Sequence, residues 1–235
     1  MIGFLVGSAV VATYIIATII FALVAQRLFS MSGEALRKTL HFIFLGAYIP
    51  LISAFEVWWH AAIFAALLIA LVPPFLAILN RVRFLSVLLV ERSRGEYFGS
   101  MLLALFMMLI SVCVCWGIMG DRYLVIACIY AWGVGDGFAA LVGVRFGRHK
   151  IKWRLADPHK NLEGSITMLV CSLISVFSVL LIRGGLSVVA CLIIAVLASI
   201  GCTVSELCAK NGLDNLICPT VAMIVILPLV RLFGV

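Results

Sequence analysis

Long apolar runs separated by short polar segments make up most of the chain. Each run is continuously apolar and does not alternate polar with apolar residues, which favours membrane-spanning helices over β-barrel strands. One crossing needs about 20 apolar residues. We therefore predict about eight spans, at roughly 2–25, 39–55, 57–79, 99–118, 123–142, 165–182, 186–204 and 216–234. The predicted fold is an all-α polytopic transmembrane helix bundle, with residues 1–235 forming one domain.

Composition supports this class, because 65% of the residues are hydrophobic and only 11% are charged. Soluble proteins carry about a quarter charged residues, and no water-soluble fold hides this much apolar surface. No charged segment precedes the first span, which is interpreted as a retained helix and not a signal peptide. The eight cysteines include no C-x-x-C pair, so neither a zinc site nor a disulfide framework is expected.

The net charge of +7 is distributed unevenly between alternate loops. Of the 17 Lys and Arg residues, only Arg122, Arg183 and Arg231 fall in the even loops or at the C-terminal end. The positive-inside rule then places the other loops in the cytoplasm, which explains the basic charge without nucleic-acid binding. Four polar clusters share that side: Glu34–His41, Arg81–Tyr97, Asp136–Glu163 and Glu206–Asn215.

Asp136 lies between Gly135 and Gly137 inside an apolar span. A carboxylate at membrane depth is costly and indicates function by default. Asp136 is a candidate ligand for Mg²⁺ that bridges phosphate oxygens; the alternative is a buried partner for a Lys or Arg. The small residues here repeat every four positions, as in Gly143 and Gly147, a spacing that also suits close helix packing.

Lys160, Asn161, Glu163 and Gly164 stand at the mouth of the next span. A helix N-terminus with a nearby cation suits phosphate. The alternative for Asn161 is an ordinary helix cap, with Glu163 in the first turn. The preceding basic loop is explained equally well by membrane topology, and His159 is a weak candidate only.

Two further clusters complete the candidate site. Arg37, Lys38 and His41 share a helix face with Glu34 and are predicted to contact phosphate or a hydroxyl, the alternative being a snorkelling basic anchor. The second cluster is predicted to supply metal and ribose contacts, the alternative being a polar hairpin before a capped helix. Its members are Glu206, Asp214 and Asn215.

Four groups of residues occur in order along the chain: Arg37-Lys38-x-x-His41; Gly135-Asp136-Gly137-x-Ala139 with Gly143 and Gly147; Lys160-x-x-Glu163-Gly164; and Glu206 with Leu213-Asp214-Asn215 and Pro219. Together they resemble the polyprenol kinase family of phytol kinases, dolichol kinases and CTP-dependent diacylglycerol kinases. Arg94-Gly95 before Tyr97 looks nearest to the phytol kinases. Asn161 stands where a small hydroxyl residue is expected. A distant similarity to CDP-diacylglycerol synthases lacks their terminal signature.

The resemblance implies a single transmembrane kinase domain that phosphorylates a lipid alcohol with CTP and Mg²⁺ at the cytoplasmic face. The membrane would be the cell membrane of a prokaryote or an organelle membrane of a eukaryote. The implied catalytic residues are Asp136, Lys160, Glu163 and His41, with Asp136, Glu163 and Asp214 as metal ligands. The implied nucleotide and phosphate contacts are Arg37, Lys38, Gly135, Gly137, Gly143, Gly147, Lys160, Asn161, Gly164, Glu206 and Asn215.

Two other functions are alternatives to a lipid alcohol kinase. A cytidylyltransferase acting on a lipid phosphate would release pyrophosphate, whereas the kinase releases CDP. A transporter would spread ionisable groups through the depth of the membrane, whereas here they are predicted to cluster at one interface. The expected partners are CTP, the lipid alcohol and the surrounding membrane lipid, without nucleic acid; homo-oligomerisation is left open.

Overall fold

A computed structural model describes residues 2–79, 96–154, 156–157, 160–209 and 212–234, without the side chains of 76–79, 96 and 97. Three sequence features lie wholly or mostly outside these ranges: His159, Lys210 and the polar cluster at 81–97. The described residues are mainly helical, with one isolated antiparallel β-bridge, between Lys150 and Asn161.

The helices are α1 Ile2–Phe29, α2 Gly33–Gly46, α3 Tyr48–Ala54, α4 Trp58–Leu79, α5 Glu96–Ser111 continued by a π-helix Val112–Ile118, α6 Arg122–Phe146, α7 Leu162–Arg183, α8 Val188–Cys208 and α9 Asp214–Phe233. Counting α2 with α3, and α5 with its π-helical end, eight helical segments among the described residues are long and apolar enough to cross a membrane. The predicted fold class and the predicted eight spans are confirmed. The single-domain organisation stays a prediction, since the contacts divide the chain into two compact units, Met1–Cys113 and Val114–Val235.

In the first unit, α1 packs on α2 and α3, and α4 packs on α5. The Tyr14 hydroxyl donates a hydrogen bond of 3.2 Å to the Ile43 carbonyl, which joins α1 to α2. A Cβ on Gly46 would collide with that same hydroxyl, so a side chain there would displace Tyr14 from this hydrogen bond. Helix α4 runs through Pro73 and Pro74.

In the second unit, helices α6 to α9 pack in chain order and α9 returns to contact α6. This is the arrangement of an antiparallel four-helix bundle. One end of the bundle carries the C-terminal ends of α6 and α8 and the N-terminal ends of α7 and α9. At the other end, Arg183 forms an ion pair with Asp121, whose side chain also caps α6 by accepting from the Tyr123 amide at 2.9 Å.

Helices α6 and α7 approach closely along a line of small residues. Gly135, Ala139 and Gly143 are spaced four residues apart on α6, opposite Gly164 and Met168 on α7. A Cβ added to Gly135 would collide with Met168, and one added to Gly164 would lie 3.1 Å from the Ala139 carbonyl. Small residues at this spacing let membrane helices pack backbone to backbone. The close contact fixes the depth of the neighbouring Asp136 in the bundle.

Candidate functional site

A partly buried ion pair lies at the end of the second unit where α7 begins. The Lys160 ammonium, two residues before α7, donates a hydrogen bond to the Glu206 carboxylate, two residues before the end of α8. Glu206 is only 3% exposed, and the Lys160 side chain is 29% exposed. The pair joins residues 46 positions apart in the sequence. Two charges withdrawn from water in this way depend on each other, because removing one leaves the other buried without compensation.

Two further carboxylates, Asp136 of α6 and Asp214 at the start of α9, lie within electrostatic range of this pair. Asp136 is 7% exposed. Each helix of the second unit therefore supplies, within it or just before it, one charged side chain at the same end of the bundle. We call Asp136, Lys160, Glu206 and Asp214 the acid–lysine cluster. The sequence predicted a common site for Asp136, Lys160, Glu163 and the cluster Glu206–Asn215. In the structure Glu206 contacts Lys160, Asp136 and Asp214 lie within electrostatic range of Lys160, and Glu163 is not part of this group.

The cluster keeps Lys160 charged. Burial alone favours the neutral amine, but the carboxylates of Glu206, Asp136 and Asp214 outweigh it and raise the pKa of Lys160 above its usual value. The ammonium is therefore present throughout the neutral range. Because the folded-state pKa is raised, its contribution to stability is complete below the usual lysine pKa and is lost as the pH rises through the raised value.

Glu163, a predicted catalytic and metal-binding residue, contacts a different partner. Its carboxylate lies 2.7 Å from the His149 ring nitrogen and accepts from the His149 backbone amide at 3.3 Å. Among the described residues it forms no contact with the acid–lysine cluster. His149 was assigned no role from the sequence, because an isolated histidine in a basic loop carries no signal of its partner. The pair fixes the basic loop to the first turn of α7.

Asn161 is the N-cap of α7, which confirms the capping interpretation. Its side-chain oxygen accepts from the Gly164 amide at 2.8 Å, and its side-chain nitrogen donates to the Gly143 carbonyl at 3.0 Å. A Cβ on Gly147 would collide with the Asn161 side chain, and one on Gly143 would lie 3.1 Å from it. These two glycines therefore make room for the cap. Both ends of the Asn161 amide are occupied by the protein itself.

The backbone amides at the start of α7 are also engaged. Leu162 donates to the His149 carbonyl at 2.9 Å, Gly164 to the Asn161 side chain, and Ser165 to the Asn161 carbonyl at 3.1 Å. The phosphate contact predicted for Gly164 and Asn161 assumed free amides at a helix N-terminus. A phosphate at this position would have to displace hydrogen bonds that the protein already makes.

Replacing Asn161 by alanine is expected to lower the free energy of unfolding by about 1–2 kcal/mol, since a cap and an interhelical hydrogen bond are lost together. Asn161→Asp is the matched control, because its carboxylate keeps the cap but has no donor for the Gly143 carbonyl. Thermal unfolding of the purified protein measures both. Equal stability of Asn161→Ala and the unchanged chain would contradict the capping role.

The remaining predicted residues of the second unit lie at the α8–α9 link or in α6. Asn215 donates from its side chain to the Gly212 carbonyl at 3.2 Å, and Gly212 has a left-handed backbone with φ of 78°. Gly137 is buried beside Asp136. No group of three His, Cys, Asp or Glu side chains close enough to hold a metal is found within the described ranges. The metal and nucleotide roles of these residues stay predictions.

Arg37, Lys38 and His41 belong to the first unit and are described there alone. Arg37 forms a two-pronged ion pair with Glu34, at 2.7 and 3.2 Å. Lys38 is only 4% exposed, so its ammonium does not extend into solvent as that of a snorkelling lysine would. The His41 ring lies edge-on to Phe42, with ring centres 6.0 Å apart. Their role in binding phosphate stays a prediction.

Comparison with known proteins finds one partial similarity. Over 91 residues the chain is 35% identical to a phytol kinase of Synechocystis sp. (strain ATCC 27184 / PCC 6803 / Kazusa), which covers 39% of this chain and 37% of that protein. No family model and no solved structure matches the chain. The similarity supports, for that part of the chain, a relation to phytol-kinase-like proteins. The distant similarity to CDP-diacylglycerol synthases stays a prediction.

Proposed function

We propose that the chain is a membrane-embedded kinase that transfers the γ-phosphoryl group of CTP to a lipid alcohol, a prenol such as phytol, farnesol or dolichol. The observation that carries the proposal is the acid–lysine cluster at one end of a four-helix membrane unit. The partial similarity to a phytol kinase adds the reaction class. The cluster combines an ammonium that is charged at neutral pH with carboxylates, which is the composition that phosphate and a divalent cation require.

In this proposal, catalysis depends on positioning and charge neutralisation. The lipid hydroxyl enters from the bilayer and attacks the γ-phosphorus, and its proton passes to water. The bond to the β-phosphate oxygen breaks, and CDP leaves to the cytoplasm. Lys160 binds the phosphates, and Glu206 holds Lys160 in place. Asp136 and Asp214 are the carboxylates suited to hold Mg²⁺, which commonly takes one or two carboxylates together with substrate phosphates. When bound, Mg²⁺ would neutralise phosphate charge.

The other predicted residues receive narrower roles. Arg37, Lys38 and His41 are proposed contacts for phosphate or the lipid hydroxyl. Glu163 and Asn161 are proposed to hold the N-terminal end of α7 in position, because Glu163 contacts His149 and Asn161 contacts Gly143. The cytoplasmic orientation follows from the distribution of basic residues and is part of the proposal.

Product analysis tests the proposed reaction. Purified protein is incubated with Mg²⁺, CTP labelled in the α- or γ-phosphate, and either phytol, farnesol, dolichol or diacylglycerol. The kinase is expected to move the γ label to the lipid and to leave the α label in CDP. Pyrophosphate release with a lipid phosphate as substrate would instead indicate a cytidylyltransferase. Transfer from ATP in place of CTP would overturn the proposed donor.

A further inference from the structure

The loop between α6 and α7 carries a set of exposed cations that the proposed reaction does not use. Arg148, Lys150, Lys152 and Arg154 occupy alternate positions, and all four are exposed. None of the four side chains forms an ion pair within the described part of the chain. Their positive charge is therefore exposed, and no side chain in the described part of the chain neutralises it.

Aromatic side chains accompany these cations. Phe146, at the end of α6, is 57% exposed, with Arg145 over its ring at 5.5 Å, and Trp153 is 46% exposed. Phe146 ends the span α6, and Trp153 lies in the loop that follows it. Tryptophan near the ends of membrane spans is typical of the boundary between headgroups and acyl chains. The exposure of these two rings favours contact of the loop and the end of α6 with the membrane over contact with water alone.

The loop is held in a defined position. Its Lys150 forms the β-bridge with Asn161, and the Ile151 amide donates to the Lys160 carbonyl at 3.3 Å. Further along, the Asp157 amide donates to the Leu207 carbonyl of α8 at 3.0 Å. These bonds fix the cations beside the end of the bundle. A binding surface with fixed geometry loses less conformational entropy when it binds than a disordered tail.

We propose that Arg148, Lys150, Lys152 and Arg154 form a binding surface for the headgroups of anionic phospholipids in the surrounding membrane. The cations supply the charge complementary to the phosphodiesters, and Trp153 and Phe146 supply the contact with the interface. The four cations are not members of the acid–lysine cluster, although the Ile151 amide bonds the Lys160 carbonyl, and the proposed lipid binding does not depend on the proposed kinase reaction.

Lipid retention by the full chain tests the proposal. The protein in neutral detergent is titrated with phosphatidylglycerol or phosphatidylcholine, and bound lipid is counted by native mass spectrometry. The unchanged chain is expected to prefer phosphatidylglycerol. Lys150→Gln/Lys152→Gln is expected to lower the affinity for phosphatidylglycerol about 25-fold, about fivefold for each cation. Arg27→Gln/Arg231→Gln, which removes equal charge elsewhere, is the matched control and should keep the preference.

Two outcomes would overturn the proposal. The first is an equal loss in the control variant, which would reduce the effect to net charge. The second is unchanged phosphatidylglycerol affinity in Lys150→Gln/Lys152→Gln, whether or not CTP binding weakens in the same variant. If that variant binds CTP more weakly but phosphatidylglycerol as tightly as before, the cations bind the nucleotide and not the lipid. Unfolding temperatures of the three proteins are compared in parallel, because the substituted side chains are exposed and should leave the fold unchanged.

Discussion

Replacing Lys160 by methionine is expected to lower the free energy of unfolding by about 3 kcal/mol, the low end of the cost of removing one partner of a buried ion pair, because the Lys160 side chain is itself 29% exposed. Glu206 is 3% exposed and would keep its carboxylate out of water without the ammonium that now compensates it. Asp136 and Asp214 add repulsion, because both are acids within range of the same site. Chemical unfolding of the purified protein in detergent measures the loss.

The matched control removes both charges. In Lys160→Met/Glu206→Leu no carboxylate remains at position 206, so most of the lost stability is expected to return, while kinase activity stays absent because the phosphate contact is gone. A double variant that is no more stable than Lys160→Met would show that the pair is not energetically coupled. Activity in the double variant would remove Lys160 from the site.

Asp136→Asn is expected to lower the turnover number on the order of 10²–10³-fold, the scale observed when one preorganised electrostatic group is removed from an active site. The substitution keeps the size of the side chain at a position that is 7% exposed, so the packing of α6 should be kept. Phosphorylation of a lipid alcohol is measured over a range of Mg²⁺ concentrations. A weaker dependence on Mg²⁺ would accompany the loss if Asp136 holds the metal.

Glu56→Gln is the control for this experiment, since Glu56 is exposed in the link between α3 and α4 and has no place in the proposed chemistry. Its turnover should equal that of the unchanged chain. Near-normal turnover of Asp136→Asn, with unchanged unfolding temperature, would contradict the catalytic role of Asp136 and leave it as a structural partner of Lys160.

The number of spans was predictable because about 20 apolar residues per crossing is a physical requirement of the bilayer. The residues at which the helices begin and end were not predictable. Counting apolar residues stops at the first charged position, whereas α7 begins at Leu162 and α8 continues to Cys208, so that Glu163 and Glu206 lie inside helices. Capping explains the difference at α7, where Asn161 satisfies the first amides and lets the helix start among polar residues.

The convergence of the cluster was predictable from topology, since antiparallel spans bring alternate links to one end of a bundle. The partners of individual side chains were not predictable. Glu163 is three residues from Lys160, yet its carboxylate contacts His149 because the basic loop folds back on α7. The glycines at 143 and 147 likewise accommodate Asn161, a contact between elements that spacing along one helix does not reveal.

Photo-crosslinking tests the central claim most directly, because it asks where the nucleotide binds without requiring turnover. A photoreactive CTP analogue is bound to the purified protein with Mg²⁺, and the labelled peptides are mapped by mass spectrometry. We predict that the analogue labels peptides within 131–165 and 203–216. Excess CTP should prevent this labelling, and Lys160→Met/Glu206→Leu should strongly reduce it. Labelling confined to other segments, or equal labelling in that variant, would contradict a nucleotide site at the acid–lysine cluster.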